Sequence, residues 1–420
     1  MKPKILTTLQ DYSLAELLRD SVAGLTVAMV AIPLSLAIAI ASGAPPEKGL
    51  VTAIVGGFLI SLLGGSRVQI GGPTGAFIVI VFSVIAEHGY DGLVLATFMA
   101  GVILVIAGYL RLGKLIALVP EAVVNGFTLG IALVIAFSQL RDLMGLDMAS
   151  QPAEFIARIE ALWSARETLS GLSLAIGGTT LALIFGLRRL WPAFPGLIVA
   201  VIAGSLLAMW AGPSVETIGS RFGDIPSVFA LPGWPAVTPE RIVELLPSAF
   251  IIAFLAGVES LLSAMVADRM IGGKHRPTAE IAAQGFANIG SAIAGGMPAT
   301  GAIARTATNV RAGGRTPVAG VIHALVILIV MALAAPLVAY LAMPAMAAVL
   351  LATAWNMSEP HKWRGYVTGP RSDTVLLVLT LVLTVLVDLT VAIGVGVSLG
   401  LAIRLSRRGV PPSSWRTPRR

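Results

Sequence analysis

The 420-residue chain has no cysteine, and only 12% of its residues are Asp, Glu, Lys or Arg. The first absence excludes a disulfide framework, a thiolate metal site and a cysteine nucleophile. Four histidines (His88, His275, His323 and His361) are scattered without metal-ligand spacing. The shortage of charge excludes an ordinary soluble domain, which carries about 25% charged residues because its exterior faces water. No secretory signal is expected either: residues 1–20 are polar, include Asp11, Glu16 and Asp20, and contain no short apolar core ending in small residues.

What is there is apolar. Hydrophobic residues make up 56% of the chain and the mean hydropathy is +0.89, so most of the surface is expected to face lipid. Fourteen apolar stretches lie between residues 21 and 405, some too short to cross alone, since a spanning helix needs about 20 residues. The fold class read from them is an all-α polytopic membrane protein with 14 transmembrane segments. An even number puts both termini on one side. Of the 29 Lys and Arg, 22 fall on that side and six on the other, with Arg305 left over. By the positive-inside rule the termini are cytoplasmic, and the net charge of +7 reflects loops at a bilayer, with no nucleic-acid partner expected.

The expected organisation is a cytoplasmic N-terminal arm (1–20), a first repeat (21–211), a Pro/Gly-rich connecting segment (212–240), a second repeat (241–405) and a basic cytoplasmic tail (406–420). A short surface helix is predicted within 145–166, and Asp388 reads as an N-cap.

The two halves share one feature. Gln69-Ile-Gly-Gly-Pro-Thr-Gly-Ala-Phe77 interrupts the third segment of the first half, and Gly295-Gly-Met-Pro-Ala-Thr-Gly-Ala-Ile303 the third segment of the second. Matched Gly/Pro interruptions in apolar segments point to a transporter's binding site. Seven spans per half force opposite insertion, so a 7+7 inverted repeat brings two half-helix N-termini together at mid-membrane. Each offers free N–H groups and about half a positive charge.

Arg305, one turn into the second half-helix, adds a cation that is costly at that depth unless it functions. Together these charges suit a dianion. Glu259 stands alone between Glu244 and Asp268. Desolvation favours its neutral form and nearby cations its charged form, so it is the candidate for proton coupling. The alternative is a fixed ion pair with Arg305. No nucleophile–base pair or metal cluster appears in the spans, so an enzyme is not expected. A passive channel and a nucleobase permease are the other classes; the latter reads an uncharged ring, which Arg305 does not suit.

At these residues the sequence resembles the SulP (sulfate permease) family of anion transporters. The resemblance rests on Ala23-Gly-Leu-Thr-Val27, Ile32-Pro33, Gly71-Gly-Pro-Thr-Gly-Ala-Phe77, Pro120-Glu-Ala-Val-Val-Asn-Gly-Phe127, Val258-Glu-Ser-Leu-Leu262, Gln284-Gly-Phe-Ala-Asn288, Ala302-Ile-Ala-Arg-Thr306 and Asn309-Val-Arg-Ala-Gly313. Ala354-Trp-Asn-Met-Ser-Glu359 and Gly273-Lys-His275 resemble its bacterial C4-dicarboxylate branch. The resemblance implies a core domain moving against a gate domain, a homodimer, and residence in a bacterial inner membrane.

It further implies an anion site formed by Leu34 and Ile38 of the first helix, Thr74, Gly75, Ala76 and Phe77 of the first half-helix, and Gly301, Ala302, Ile303, Ala304 and Arg305 of the second. The coupling ion, a proton or sodium, is placed at Glu259 with Ser263 one turn on, and no other cofactor is expected. Two departures stand out. Leu34 replaces a glutamine common after the Ile-Pro, and the C-terminal STAS domain usual in members is not expected in this chain. The expected function is proton-coupled uptake of a C4-dicarboxylate such as fumarate or succinate, with sulfate, or bicarbonate with sodium, as alternatives.

Overall fold

A computed structural model describes residues 2–406, apart from 112–119, 149–150, 153, 192–193, 224–225, 227–234, 369 and 388. The start of the fifth apolar stretch, Asp388 and most of the basic tail therefore lie outside the described residues.

The first half contains α1 (Leu14–Ala41), α2 (Pro46–Leu63), strand β1 (Gly71–Gly72) and a helical run Ile78–Tyr109. Gly89 (φ 70°, ψ 177°) divides that run into α3 before it and α4 after it. Then come α5 (Glu121–Ser138), α6 (Gly171–Leu190) and α7 (Gly196–Ala211). The second half contains α8 (Pro239–Ile271), α9 (Pro277–Ile293), strand β2 (Thr300–Gly301), α10 (Ile303–Arg311), α11 (Val318–Val338), α12 (Met343–Met357), α13 (Arg371–Leu386) and α14 (Leu389–Ser406). Among the described residues, seven helices are long and apolar enough to cross a bilayer. The shorter segments gain their support from neighbours.

Packing repeats with the halves exchanged. α4 packs on α8 and α9 as α11 packs on α1 and α2; α5 packs on α13 as α12 packs on α6; α6 with α7 matches α13 with α14. This is the signature of an inverted repeat. The contacts sort α1–α4 and α8–α11 into a core domain, and α5–α7 and α12–α14 into a gate domain. α1 touches α7 and α12 where the two meet.

One boundary differs from hydropathy. α1 begins at Leu14, inside the expected arm, because Ser13 and Glu16 form a capping box (Ser13 N to Glu16 Oε2 2.9 Å, Glu16 N to Ser13 Oγ 3.3 Å). Its first turns carry the fully buried Asp20, which accepts from Arg315 N at 2.9 Å, from the Thr316 hydroxyl and from Tyr12. Hydropathy marks only the lipid-crossing part of a helix. The surface helix forms over Phe155–Ser164.

The connecting segment is not free either. Ile218 N donates to Leu341 O (2.8 Å), Gly219 N to Ala339 O (2.8 Å) and Met343 N to Glu216 O (2.9 Å), fastening it to the α11–α12 turn. Arg221 then forks between Asp142 (Nη2 to Oδ1 2.7 Å) and Glu216 (Nε to Oε1 2.8 Å). Burial alone would raise the Glu216 carboxyl, but the hydrogen bonds and charge of Arg221, then Arg141, hold it below its ordinary value. A carboxyl depressed in the fold stabilises it above the unfolded value of about 4.3 and ceases to do so as pH falls through the lower folded value. Detergent-solubilised protein is expected to keep its Tm between about pH 5 and 8 and lose it more steeply below about 4. Glu216→Gln should flatten that acid limb, measured by intrinsic fluorescence; an unchanged limb would remove Glu216 as its cause.

Candidate functional site

The breaks form because Gly71, Gly72 and Pro73 cannot continue a helix, and the backbone groups they free must be paired inside the protein at that depth. They pair with each other. Gly71 faces Gly301 and Gly72 faces Thr300 in an antiparallel two-strand ladder, extended by Ala302 N to Ile70 O at 2.9 Å. Side chains clamp the crossing. Asn288 exchanges two bonds with Ala299 (2.8 and 2.9 Å), Thr300 Oγ1 donates to Ala256 O (2.9 Å), and Asn309 Nδ2 donates to Val68 O (2.8 Å). Gly301 and Gly72 are required here. A Cβ at 301 would overlap the Gln69 amide; one at 72 would meet the Arg305 guanidinium, and Gly72 sits at φ 148°.

From the crossing the chain turns into two helix starts. Thr74 precedes the 3₁₀ turn Gly75–Phe77 that leads into α3, and Ala302 is the N-cap of α10. Neither has a side-chain cap, so the first-turn N–H groups remain for a ligand. Ile303 and Ala304 are exposed at this end, whereas Thr74, Gly75, Ala76, Phe77, Gly301 and Ala302 are buried. Leu34 and Ile38 of α1 are buried in one apolar cluster with Phe77 and Ile135, against which Met357 packs. From the gate, Met357 and Ile135 reach the backbone of Gly75: a Cβ there would lie 2.9 Å from Met357 Sδ and 3.5 Å from Ile135 Cδ1.

Arg305 stands behind the helix starts rather than in front of them. It is 1% exposed. Nη2 donates to Ser35 Oγ (3.0 Å) and Pro73 O (3.1 Å), and Nη1 to Gly71 O (3.5 Å), while Nε has no partner. The cation thus fastens α10 to α1 and to the first break, and its field acts on the site through the crossing. Glu259 is partly accessible and accepts from Thr74 Oγ1 at 2.8 Å. No ion pair joins Glu259 and Arg305 among the described residues, each being bonded elsewhere, which sets aside the fixed ion pair. Ser263 is fully buried and donates to Thr306 Oγ1 (3.2 Å) rather than to Glu259.

Thr74 with Gly75 is thus tied to Glu259, Ala302 with Ile303 and Ala304 follows the strand paired to the first break, and Arg305 is bonded to that break, with Leu34, Ile38 and Phe77 in one buried apolar cluster. Sequence reasoning missed Ser35, Ile135 and Met357. Ser35 left a faint signal as a polar residue within the most apolar part of α1; Ile135 and Met357 left none. Among the described residues no cluster of His, Asp and Glu fits a metal ion.

The chain matches the family model described as the sulfate permease family over residues 17–380. It is 40% identical over 372 residues to YvdB of Bacillus subtilis, a protein named provisionally as a sulfate transporter, covering 88% of this chain and 70% of that one. It is 31% identical over 340 residues to the bicarbonate transporter BicA of Picosynechococcus, covering 79% of this chain and 60% of BicA. The solved transmembrane domain of a cyanobacterial BicA superposes with a TM-score of 0.80 at 27% identity, covering 91% of this chain and 99% of that domain.

Proposed function

Because the chain belongs to the sulfate permease family, we propose that it is a secondary active carrier taking up a C4-dicarboxylate such as fumarate or succinate with protons. The observation that carries this reading is the meeting of two uncapped helix starts with Glu259 beside them and Arg305 directly behind. That arrangement holds negative charge by peptide dipoles and a guanidinium field, and keeps one carboxylate in reach of the same space. The neighbouring wall of Leu34, Ile38, Phe77, Ile135 and Met357 is apolar. It suits an anion with a hydrocarbon middle better than a compact, strongly hydrated one.

The cycle follows from charge. Ionised Glu259 repels the anion and partly cancels the positive ends; protonated, it keeps its bond to Thr74 and leaves the positive field to the substrate. Proton and dianion therefore load together, and the core carries them past the gate. Thr74 rather than Ser263 is the partner of Glu259, which favours a proton over a sodium ion held by both. The excess of Lys and Arg on the side of the termini supports cytoplasmic termini in a bacterial inner membrane.

Sulfate is the second reading, favoured by the name of YvdB at 40% identity. Uptake of labelled fumarate, sulfate and bicarbonate into proteoliposomes, with and without an inward proton gradient, separates these. Fumarate uptake is expected to rise at least about fivefold with the gradient, and Glu259→Gln to move fumarate without that stimulation. Wild-type uptake indifferent to the gradient would end the coupling role, and sulfate uptake alone would replace the substrate.

A further inference from the structure

A second carboxylate lies deeper in the core than Glu259. Glu280, in the first turn of α9, is fully buried, and no Lys or Arg pairs with it among the described residues. It is held by four donors. Oε2 accepts from the backbone N–H groups of Gly65 (2.9 Å) and Ser66 (3.2 Å), and Oε1 accepts from Ser260 Oγ (2.8 Å) and Gln284 Nε2 (2.8 Å). Four donors on two oxygens match the capacity of an ionised carboxylate, and hydrogen bonds to a charged group are worth about 1.5–3 kcal/mol each.

The partners give the cluster its meaning. Gly65 and Ser66 begin the excursion that leads to the first break. Ser260 follows Glu259 in α8, and its hydroxyl also accepts from Gln69 Nε2 at 2.8 Å. Gln69 lies beneath Gly301 at the crossing of the two breaks. One carboxylate on α9 is therefore linked to the entry of the first break, to the helix that carries Glu259, and to the underside of the crossing. The bond between Thr74 and Glu259 joins the same two pieces, the first break and α8, a second time.

We propose that Glu280 is a positioning residue of the anion site: through Gly65–Ser66, Ser260 and Gln69 it fixes the first break against α8, and so sets where the Gly75 and Ile303 helix starts stand relative to Glu259. The inference rests on those helix starts being the anion site, but on neither the dicarboxylate nor the proton assignment. Loss of the brace leaves the crossing ladder and the helices in place and lets the first break shift by a fraction of an ångström. A misplaced site binds its anion weakly. A carboxylate that served only to stabilise α9 would instead reduce the amount of folded carrier.

The test is a KM and Vmax measurement in proteoliposomes, with whichever of the three anions the wild type moves and with Vmax expressed per folded transporter. Glu280→Gln, which presents an amide donor to donors, is expected to raise KM at least about tenfold with Vmax within about threefold. Ser260→Ala, which removes only the linking hydroxyl, should raise KM about three- to tenfold with little loss of Tm. It stands as the deciding variant if Glu280→Gln does not fold. Glu280→Asp, too short to reach all four donors, should not restore KM. A fall in Vmax with KM unchanged in Ser260→Ala, or a wild-type KM in Glu280→Gln, overturns the proposal. Full uptake by Gly301→Ala, whose methyl disrupts the crossing that sets the helix starts, would instead remove the anion site on which it rests, so the two failures are distinguishable.

Discussion

Arg305→Ala is expected to reduce anion uptake at least about 100-fold in protein that still inserts and purifies. Among the described residues Arg305 is the only cation enclosed in the core domain. A unit charge about 6 Å from an anionic group, at an effective dielectric of about 20, is worth about 2–3 kcal/mol, or a factor of about 100 in binding. The substitution also leaves Gly71 O, Pro73 O and Ser35 Oγ without their donor, which loosens the first break. Arg305→Lys separates the two contributions. An ammonium keeps the charge but cannot fork between α1 and the break, so uptake should fall to an intermediate level with Tm lowered by a few degrees. Proteoliposome flux with thermal unfolding checks both. Uptake by the alanine variant within about threefold of wild type would show that the helix starts suffice alone.

Gly301→Ala is expected to cost about 1–3 kcal/mol of stability and most of the transport, because its new methyl overlaps the Gln69 amide where two backbones already lie in contact. Neither strand can retreat: Gly71 and Thr300–Gly301 are paired, and Asn288 holds Ala299 from the other side. Shortening the opposing side chain makes room, so Gly301→Ala combined with Gln69→Ala should recover part of the lost Tm and folded yield. Gly186, on α6 with open space around it, is the control: alanine there should leave both properties unchanged. Full activity in Gly301→Ala would mean that the breaks do not cross as described.

These expectations differ in how far the sequence foreshadowed them. The paired breaks were legible because a Gly-Gly-Pro or Met-Pro-Ala-Thr-Gly run inside an apolar stretch has no regular structure to join. Their equal placement in the two halves was a local pattern. Glu259 and Arg305 were legible because a lone charge in an apolar run must have a purpose. What those charges touch was not. The partner of Glu259 is Thr74, 185 positions away, and that of Arg305 is Ser35, 270 away. Spacing along one helix says nothing about which residue on another helix rotates to meet it. Glu280 escaped notice because a carboxylate near the start of an apolar segment reads as an ordinary loop-end charge. Only its depth and its four donors set it apart.

The sequence alone determined that this is a many-spanned membrane protein with an inverted repeat, and which two segments break. Those properties follow from run length, from the lack of charge and from residues that cannot stay helical, all of them local. The tertiary structure alone decided that the guanidinium stands behind the crossing, that Thr74 holds Glu259, and that the connecting segment is fastened to the gate. The physical reason is that a buried polar group must find a partner wherever the fold brings one. That choice is made by the crossing of two chain segments more than 200 residues apart, not by the neighbours of either.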